Sequence, residues 1–369
     1  MESGIPVDVV LLDFAKAFDT VPHKRLILKL RAYGISGLTL KWIEAFLKNR
    51  KQRIVLGEIV SSWAEIFSGV PQGSPLAALL FVLFINDLPE ILKNITKLYA
   101  DDTKIMNEML TSASTLSLQS DLDLAFAWTQ NWLVKFNINK CIVMHYGYHN
   151  KELPLFINGQ ELNKSNSERD LGVIFSNNLK WKDQTLTCVG KANQMLGMIR
   201  KGFTRLDTRL LKTLYVTFVR PLLEFAVPVW SPYQKSDIDL LEGVQHRATR
   251  LIPSLKKKTY ENRLKTLGLT TLTDRRQRGD MIQLFKIFNN IDKLETKDKI
   301  ELQNNQTRGH RFKYYKEITK QAQRENFFFN RSANLWNSLP IEVVDAESVN
   351  SFKAGLDCWM SSNRANQLS

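Results

Sequence analysis

The sequence predicts an α+β chain: an antiparallel sheet with packed helices, followed by a mostly helical second half. Short apolar runs bounded by turn residues alternate with helical periodicities through about the first half of the chain. After Lys191 the pattern becomes almost wholly helical, interrupted by Pro221, Pro228, Pro232 and Pro253. A length of 369 residues with 44% apolar and 10% aromatic content is enough for two or three domains with real cores.

The elements follow in order. VDVVLLDF is an apolar run broken only by Asp8 and ended by Asp13, the pattern of a strand covered on both faces with an acid at its carboxyl end. Pro22 suits a first helical position, Leu26, Leu30 and Tyr33 share a face, and Gly34 is a natural stop. A second helix is expected from about Leu38 to Lys48, and RQRIVLGEIVSSWAEIF reads as a hairpin turning at Gly57. Ser74 can cap a helix begun by Pro75 that is apolar on all sides up to Ile85 and so is expected to be buried against a sheet. Thr96 to Met106 is a candidate hairpin whose turn carries Asp101 and Asp102, and a long helix follows from about Leu116 to Lys135. CIVMHYG and DLGVIFS read as further strands, joined by an Asn-Gly turn at Asn158 and Gly159 in a small hairpin of their own. The interval from Asn289 to Gln306 reads as a mobile linker.

No window reaches the roughly 18 apolar residues of a membrane span, the longest run being Leu76 to Ile85. The start of the chain lacks the pattern of a signal peptide. Three widely spaced cysteines, Cys141, Cys188 and Cys358, argue against a disulfide framework or a zinc site. The expected setting is intracellular, nucleus or cytoplasm, not secreted and without a membrane partner. Of the net charge of +14, the stretch from Leu240 to Arg331 holds 21 Lys and Arg against 10 Asp and Glu. Such a basic stretch suits a polyanion partner or a solvated helical face.

The two apolar strands each end in acid. Carboxylates fixed close together cost several kcal/mol each to bury unpaired, and divalent cations resolve that conflict, since Mg²⁺ takes hard oxygen ligands and substrate phosphates. By itself an Asp-Asp pair is more often a turn or a helix cap. The surroundings decide: LLDFAKAFDTVPH, GVPQGSP and YADD occur in that order within about a hundred residues.

In these blocks, and beyond them in NINKCIVMHYG, RDLGVIFSNNLKW and YENRLKTLGLTTLTDRR, the chain resembles the reverse transcriptases of non-LTR (LINE) retrotransposons, particularly the jockey-like kind. The resemblance implies an RRM-like polymerase palm over residues 1–150, a primer-grip-like hairpin over 151–190, a helical thumb-like region over 191–255 and a basic C-terminal region over 256–369. It also implies that the family's fingers and upstream endonuclease are missing. Asp13 and Asp101 match the two catalytic metal ligands, and Asp102 the second acid of the polymerase box, also carried as a ligand. Phe18 matches the aromatic under the incoming sugar that favours dNTP over rNTP, although by itself it would read as core. Gln72 and Gly73 match the PQG turn against nucleotide and template, and Tyr99 the aromatic near the primer end. Lys140 matches the lysine facing the leaving pyrophosphate; Leu171 and Gly172 fall in the primer-grip block. Ala77 and Ala78 stand where the family usually has Gly-Pro. The implied cofactor is a pair of Mg²⁺ ions with Mn²⁺ as a substitute, and the implied partners are an RNA template, a DNA primer or target, and dNTPs. An RNA-directed DNA polymerase fragment is the expected function, with a catalytically inactive, nucleic-acid-binding remnant as the alternative. A nucleotide cyclase would share the acids but has no use for PQG or the basic tail.

Overall fold

The computed structural model describes residues 4–294, 300–303 and 309–367. The chain divides into two compact units, residues 3–166 and 167–369. The linker expected from Asn289 to Gln306 lies partly outside the described residues, at 295–299 and 304–308.

The first unit runs β1 (Val7–Leu12), α1 (Ala17–Thr20), α2 (His23–Ala32), α3 (Gly37–Leu47), β2 (Lys51–Gln52), β3 (Val55–Leu56), β4 (Ile59–Val60), β5 (Ala64–Glu65) and α4 (Pro75–Ile85). It continues through β6 (Ile95–Tyr99), β7 (Asp102–Glu108), α5 (Ser112–Trp132), β8 (Ile142–Tyr146), β9 (Phe156–Ile157), β10 (Gln160–Glu161) and β11 (Asn163–Lys164). Five strands form one sheet in the order β11-β8-β1-β7-β6, antiparallel except for the β11–β8 pair.

Strand alternation sorts the sheet's two faces. Val10, Leu12, Ile105 and Val143 are buried in one core with Leu80 and Phe84 of α4 and Leu118, Leu122 and Ala125 of α5. Val9, Leu11, Lys104 and Met106 on the opposite face are only half-buried. Helices therefore cover one face of β1, not both as its apolar run suggests. Asp8 sits on the covered face, 1% exposed, and is satisfied there by His145 Nδ1 at 2.7 Å and Asn150 Nδ2 at 2.6 Å.

Three further expectations are corrected. Pro22 is the extended residue before α2, not its first helical residue. The helix α4 is not buried all round, because Leu79 and Val82 are exposed on one side. The segment RDLGVIFS is not one strand: it turns at Leu171 and Gly172, both at positive φ, between β12 (Ser167–Asp170) and β13 (Val173–Ser176). Asn158 and Gly159 turn a separate hairpin, β9–β10. The expected hairpin around Gly57 is two nested ladders, β2–β5 outside and β3–β4 inside, with Ile54, Leu56, Ile59 and Trp63 exposed.

After β13 the second unit is helical: α6 (Lys182–Gly202), α7 (Thr208–Leu214), α8 (Arg220–Glu224), α9 (Lys235–Thr249), α10 (Tyr260–Leu267), α11 (Leu272–Phe288), α12 (Ala322–Glu325), α13 (Phe328–Asn337), α14 (Ile341–Val344) and α15 (Val349–Gln367). A π-helical turn over Tyr215–Val219 joins α7 to α8. One core gathers Leu196, Tyr215, Trp230 and Val244; another gathers Phe285, Tyr314, Trp336 and Phe352.

Two polar anchors brace the helices of the first unit. Asp121 of α5 is fully buried and accepts from the backbone N–H groups of Lys93 and Asn94 at 3.0 and 2.8 Å, fixing the loop that enters β6. Lys29 of α2 is also buried: its Nζ donates to Asp87 Oδ1 at 2.5 Å and to the Phe84 carbonyl, among the rings of Trp132, Trp128 and Phe84 at 3.8 to 4.7 Å. Burial outweighs the favourable Asp87 contact and lowers the Lys29 amine to about 8 from its ordinary 10.5. Between those two values the unfolded chain holds a proton that the native chain does not, so this group's contribution to stability rises with pH through that window and is lost as pH falls to 8. Urea denaturation from pH 8 to 10.5 is expected to show the wild type gaining on Lys29→Met by about 1.4 kcal/mol per pH unit. Parallel curves would refute the assignment.

Candidate active site

The site is set by what lies beside the end of β1. Its pairing with β7 ends at Leu12 opposite Thr103, and its pairing with β8 at Leu11 opposite Ile142. Continued in register, Asp13 falls across from Asp102 on one side and Lys140 on the other. The Lys140 Nζ lies 3.9 Å from Asp13 Oδ2, with both side chains partly in solvent. An exposed ion pair at that distance contributes little stability, so its interest is chemical.

The Asp13 backbone is tied to the segment before β8. Its carbonyl accepts from Asn137 N at 2.8 Å, and its N–H donates to Cys141 Sγ at 3.4 Å. Ala15 N donates to Lys135 O at 2.8 Å, and Phe14 bridges to Phe136. Cys141 is fully buried, and burial raises its thiol to about 11 despite the Asp13 backbone contact. Such a thiol is a packing group and a weak hydrogen-bond partner, not a nucleophile.

The second acid comes from the β6–β7 turn. Ala100 there has φ +51°, a left-handed conformation that costs a residue with a Cβ about 1–2 kcal/mol. The turn directs Asp101 into a cleft of about 920 Å³ lined also by Asp13, Phe18, Gln72, Gly73 and Lys140. Phe18 stacks on Phe81 of α4, centroids 4.6 Å apart. Gly73 has φ +87°, and no protein atom lies within 4 Å of the place a Cβ would take. Glycine there serves the backbone and leaves the cleft open.

Six of the expected site residues thus meet in one cleft: Asp13, Phe18, Gln72, Gly73, Asp101 and Lys140. Tyr99, 67% exposed, and Asp102 are not among the lining residues. Leu171 and Gly172 belong to the second unit, at the β12–β13 turn. Among the described residues no three His, Cys, Asp or Glu gather closely enough to hold a metal alone. Two carboxylates on one cleft still match Mg²⁺, which commonly takes one or two carboxylates and completes its shell with substrate phosphates and water.

The basic stretch is used partly inside the fold. Arg263 and Arg276 are buried, Arg331 pairs with Asp280 at 2.9 Å, and Arg275 pairs with Glu224. Arg250 and Lys256 to Lys258 remain exposed. Among the aromatic side chains of the second unit, Trp230 and Phe328 are core, whereas Phe327 is half-exposed. No helix among the described residues is long and apolar enough to cross a membrane.

The profile of the family described as "Reverse transcriptase (RNA-dependent DNA polymerase)" matches residues 8–194. The "Probable RNA-directed DNA polymerase from transposon BS" of Drosophila melanogaster is 25% identical over 268 residues, covering 66% of this chain and 29% of the relative. The "RNA-directed DNA polymerase from mobile element jockey" of the same organism is 26% identical over 255 residues, covering 65% and 28%. The chain therefore spans less than a third of the length of these curated relatives. Among solved structures, a telomerase from Candida albicans in complex with a fragment of telomeric RNA aligns at TM-score 0.33 and 10% identity, over 77% of this chain and 49% of that one.

The thiols give a direct check on how the end of β1 is held. Cys141 is buried with its thiol raised to about 11, Cys188 is buried and raised by the same cause, and Cys358 is exposed. A colorimetric thiol titration of the native protein at pH 8 is expected to show one fast group, abolished by Cys358→Ser. A second fast group, lost in Cys141→Ser, would mean that Asp13 is not packed as described.

Proposed function

Because the chain belongs to the reverse transcriptase (RNA-dependent DNA polymerase) family, we propose that it is the polymerase-bearing part of a jockey-like non-LTR retrotransposon protein, extending a primer by dNTP addition on an RNA template. The meeting of Asp13 and Asp101 in one cleft with Phe18, Gln72, Gly73 and Lys140 carries this reading.

In the proposed reaction the primer 3′-oxygen forms a bond to the α-phosphorus of a dNTP, the bond to the bridging oxygen breaks, and pyrophosphate leaves. Asp13 and Asp101 would hold the divalent cations, with Asp102 assisting. When bound, those ions supply activation of the hydroxyl and neutralisation of the triphosphate. The protein's own residues orient the reactants. Phe18, backed by Phe81, is the wall against which the sugar lies, so a 2′-hydroxyl would clash. Gln72 and the open backbone at Gly73 form the floor under nucleotide and template, and Lys140 neutralises or protonates the leaving pyrophosphate. Tyr99 is assigned to the primer end.

The finer domain assignment rests on the family resemblance: palm over 1–150, primer-grip hairpin over 151–190 with Leu171 and Gly172 at its turn, helical thumb over 191–255, and a basic region over 256–369. The exposed Lys256, Lys257 and Lys258 suit duplex or RNA backbone, and binding through them would weaken steeply with salt.

Primer extension on poly(rA)/oligo(dT) with Mg²⁺ tests the reaction. Asp13→Asn or Asp101→Asn is expected to lower incorporation by about a hundred- to a thousandfold; incorporation equal to wild type would rule out their catalytic role. Phe18→Val is expected to relax discrimination against rNTPs by at least about tenfold, and unchanged sugar selectivity would exclude Phe18 as the gate.

A further inference from the structure

The segment 68–72 is bound to residues 18–23 by a run of contacts that the proposed reaction does not by itself explain. Gly69 N donates to Val21 O at 2.8 Å, and Val70 N donates to Phe18 O at 2.7 Å. Ser68 Oγ donates to Asp19 O at 3.0 Å, His23 Nε2 meets Gly69 O at 2.8 Å, and Pro22 bridges to Ser68. Gly69 has φ +88°, and a Cβ there would lie 2.6 Å from Asp19 O. No side chain fits between the two segments, so they behave as one strap whose ends are Phe18 and Gln72.

One side-chain bond closes this strap at the cleft: Gln72 Nε2 donates to Asp19 Oδ1 at 3.0 Å. A carboxylate accepts only, so it admits the NH₂ end of a glutamine amide and not the oxygen end. The polarity of the amide is thereby settled by chemistry. Gln72 Oε1 is the end left for the cleft.

We propose that Asp19 is a positioning residue that sets the amide polarity of Gln72, so that the cleft floor offers an acceptor to a hydrogen-bond donor on the bound nucleotide or template. This rests on the polymerase reading for its ligand, but not for the Asp19–Gln72 contact. Without Asp19 the amide rotates freely, and half of its orientations turn NH₂ toward the ligand. Asp19→Asn offers an NH₂ donor as well as an oxygen acceptor, so it can keep a contact without fixing which end of Gln72 faces the cleft, whereas Asp19→Ala removes the contact.

Two measurements test the proposal on the full chain. In protein labelled with ¹⁵N-glutamine, the Gln72 side-chain amide signal, identified by its loss in Gln72→Ala, is expected to move toward the free-amide position in Asp19→Ala and part of the way there in Asp19→Asn. A signal that does not move in Asp19→Ala overturns the proposal whether or not the protein polymerises. In primer extension, Asp19→Ala is expected to raise the dNTP KM about twofold, since about half of the amide orientations remain competent, with kcat little changed and Asp19→Asn closer to Asp19→Ala than to wild type. In the Gln72→Ala background, Asp19→Ala should add nothing; a full additional loss there overturns the proposed coupling. The expected amide shifts together with no wild-type extension would support the Asp19 contact and refute the polymerase reading.

Discussion

The register of β1 between β7 and β8 is the constraint on which the rest of the first unit depends. Side chains alternate along a strand, so a slip of one residue would send every β1 side chain to the opposite face. Asp13 would then leave the cleft, and Leu12 would leave the core. The register is pinned in two ways. Apolar side chains at Val10 and Leu12 meet Ile105 and Val143 beneath the helices. On the same covered face Asp8 finds His145 and Asn150, and a slip would leave that acid without its partners. Breaking a buried pair of this kind costs several kcal/mol, which makes a polar group in the core a device for specifying alignment.

From that register the cleft is assembled by short-range means. The tie from Asp13 to Asn137 and Cys141 holds one carboxylate, the strained turn at Ala100 aims the second, and α4 supplies Phe81 behind Phe18. The strap between Asp19 to Val21 and Ser68 to Gln72 joins this acid-bearing side to the floor. Asp121 and Lys29 act further back, fixing the loop into β6 and the packing of α2 against α4 and α5. Rigid supports of this kind are what a site needs when the chemistry depends on positioning.

The parts legible in the sequence were those encoded locally. The apolar run of β1 with its terminal acid, the acid turn between β6 and β7, and the Ser74-Pro75 start of α4 all announce themselves within a few residues. The parts that escaped are encoded by pairs of distant residues. Lys29 sits three residues after Leu26, on the apolar stripe of α2, a signal that was present but reads as an ordinary surface lysine until Asp87 and the tryptophans are brought to it. The strap could not be read at all, because it links backbone atoms about fifty residues apart and depends on the absence of a side chain at Gly69. The turn at Leu171 and Gly172 was hidden because its first residue is not one that usually takes positive φ. Asp102 and Tyr99 stand beside Asp101 in the motif but are not among the residues that line the cleft.

The central proposal is that Asp13 and Asp101, 88 positions apart in the chain and lining one cleft, act on one shared cation. Electron paramagnetic resonance titration of Mn²⁺ in the presence of dNTP measures this most directly. If the two carboxylates share the ion, Asp13→Asn and Asp101→Asn each weaken Mn²⁺ binding, and the double variant is weakened by less than the two effects combined. Mn²⁺ affinity unchanged in both variants, or losses that add in full, would mean that the two acids do not hold a common metal.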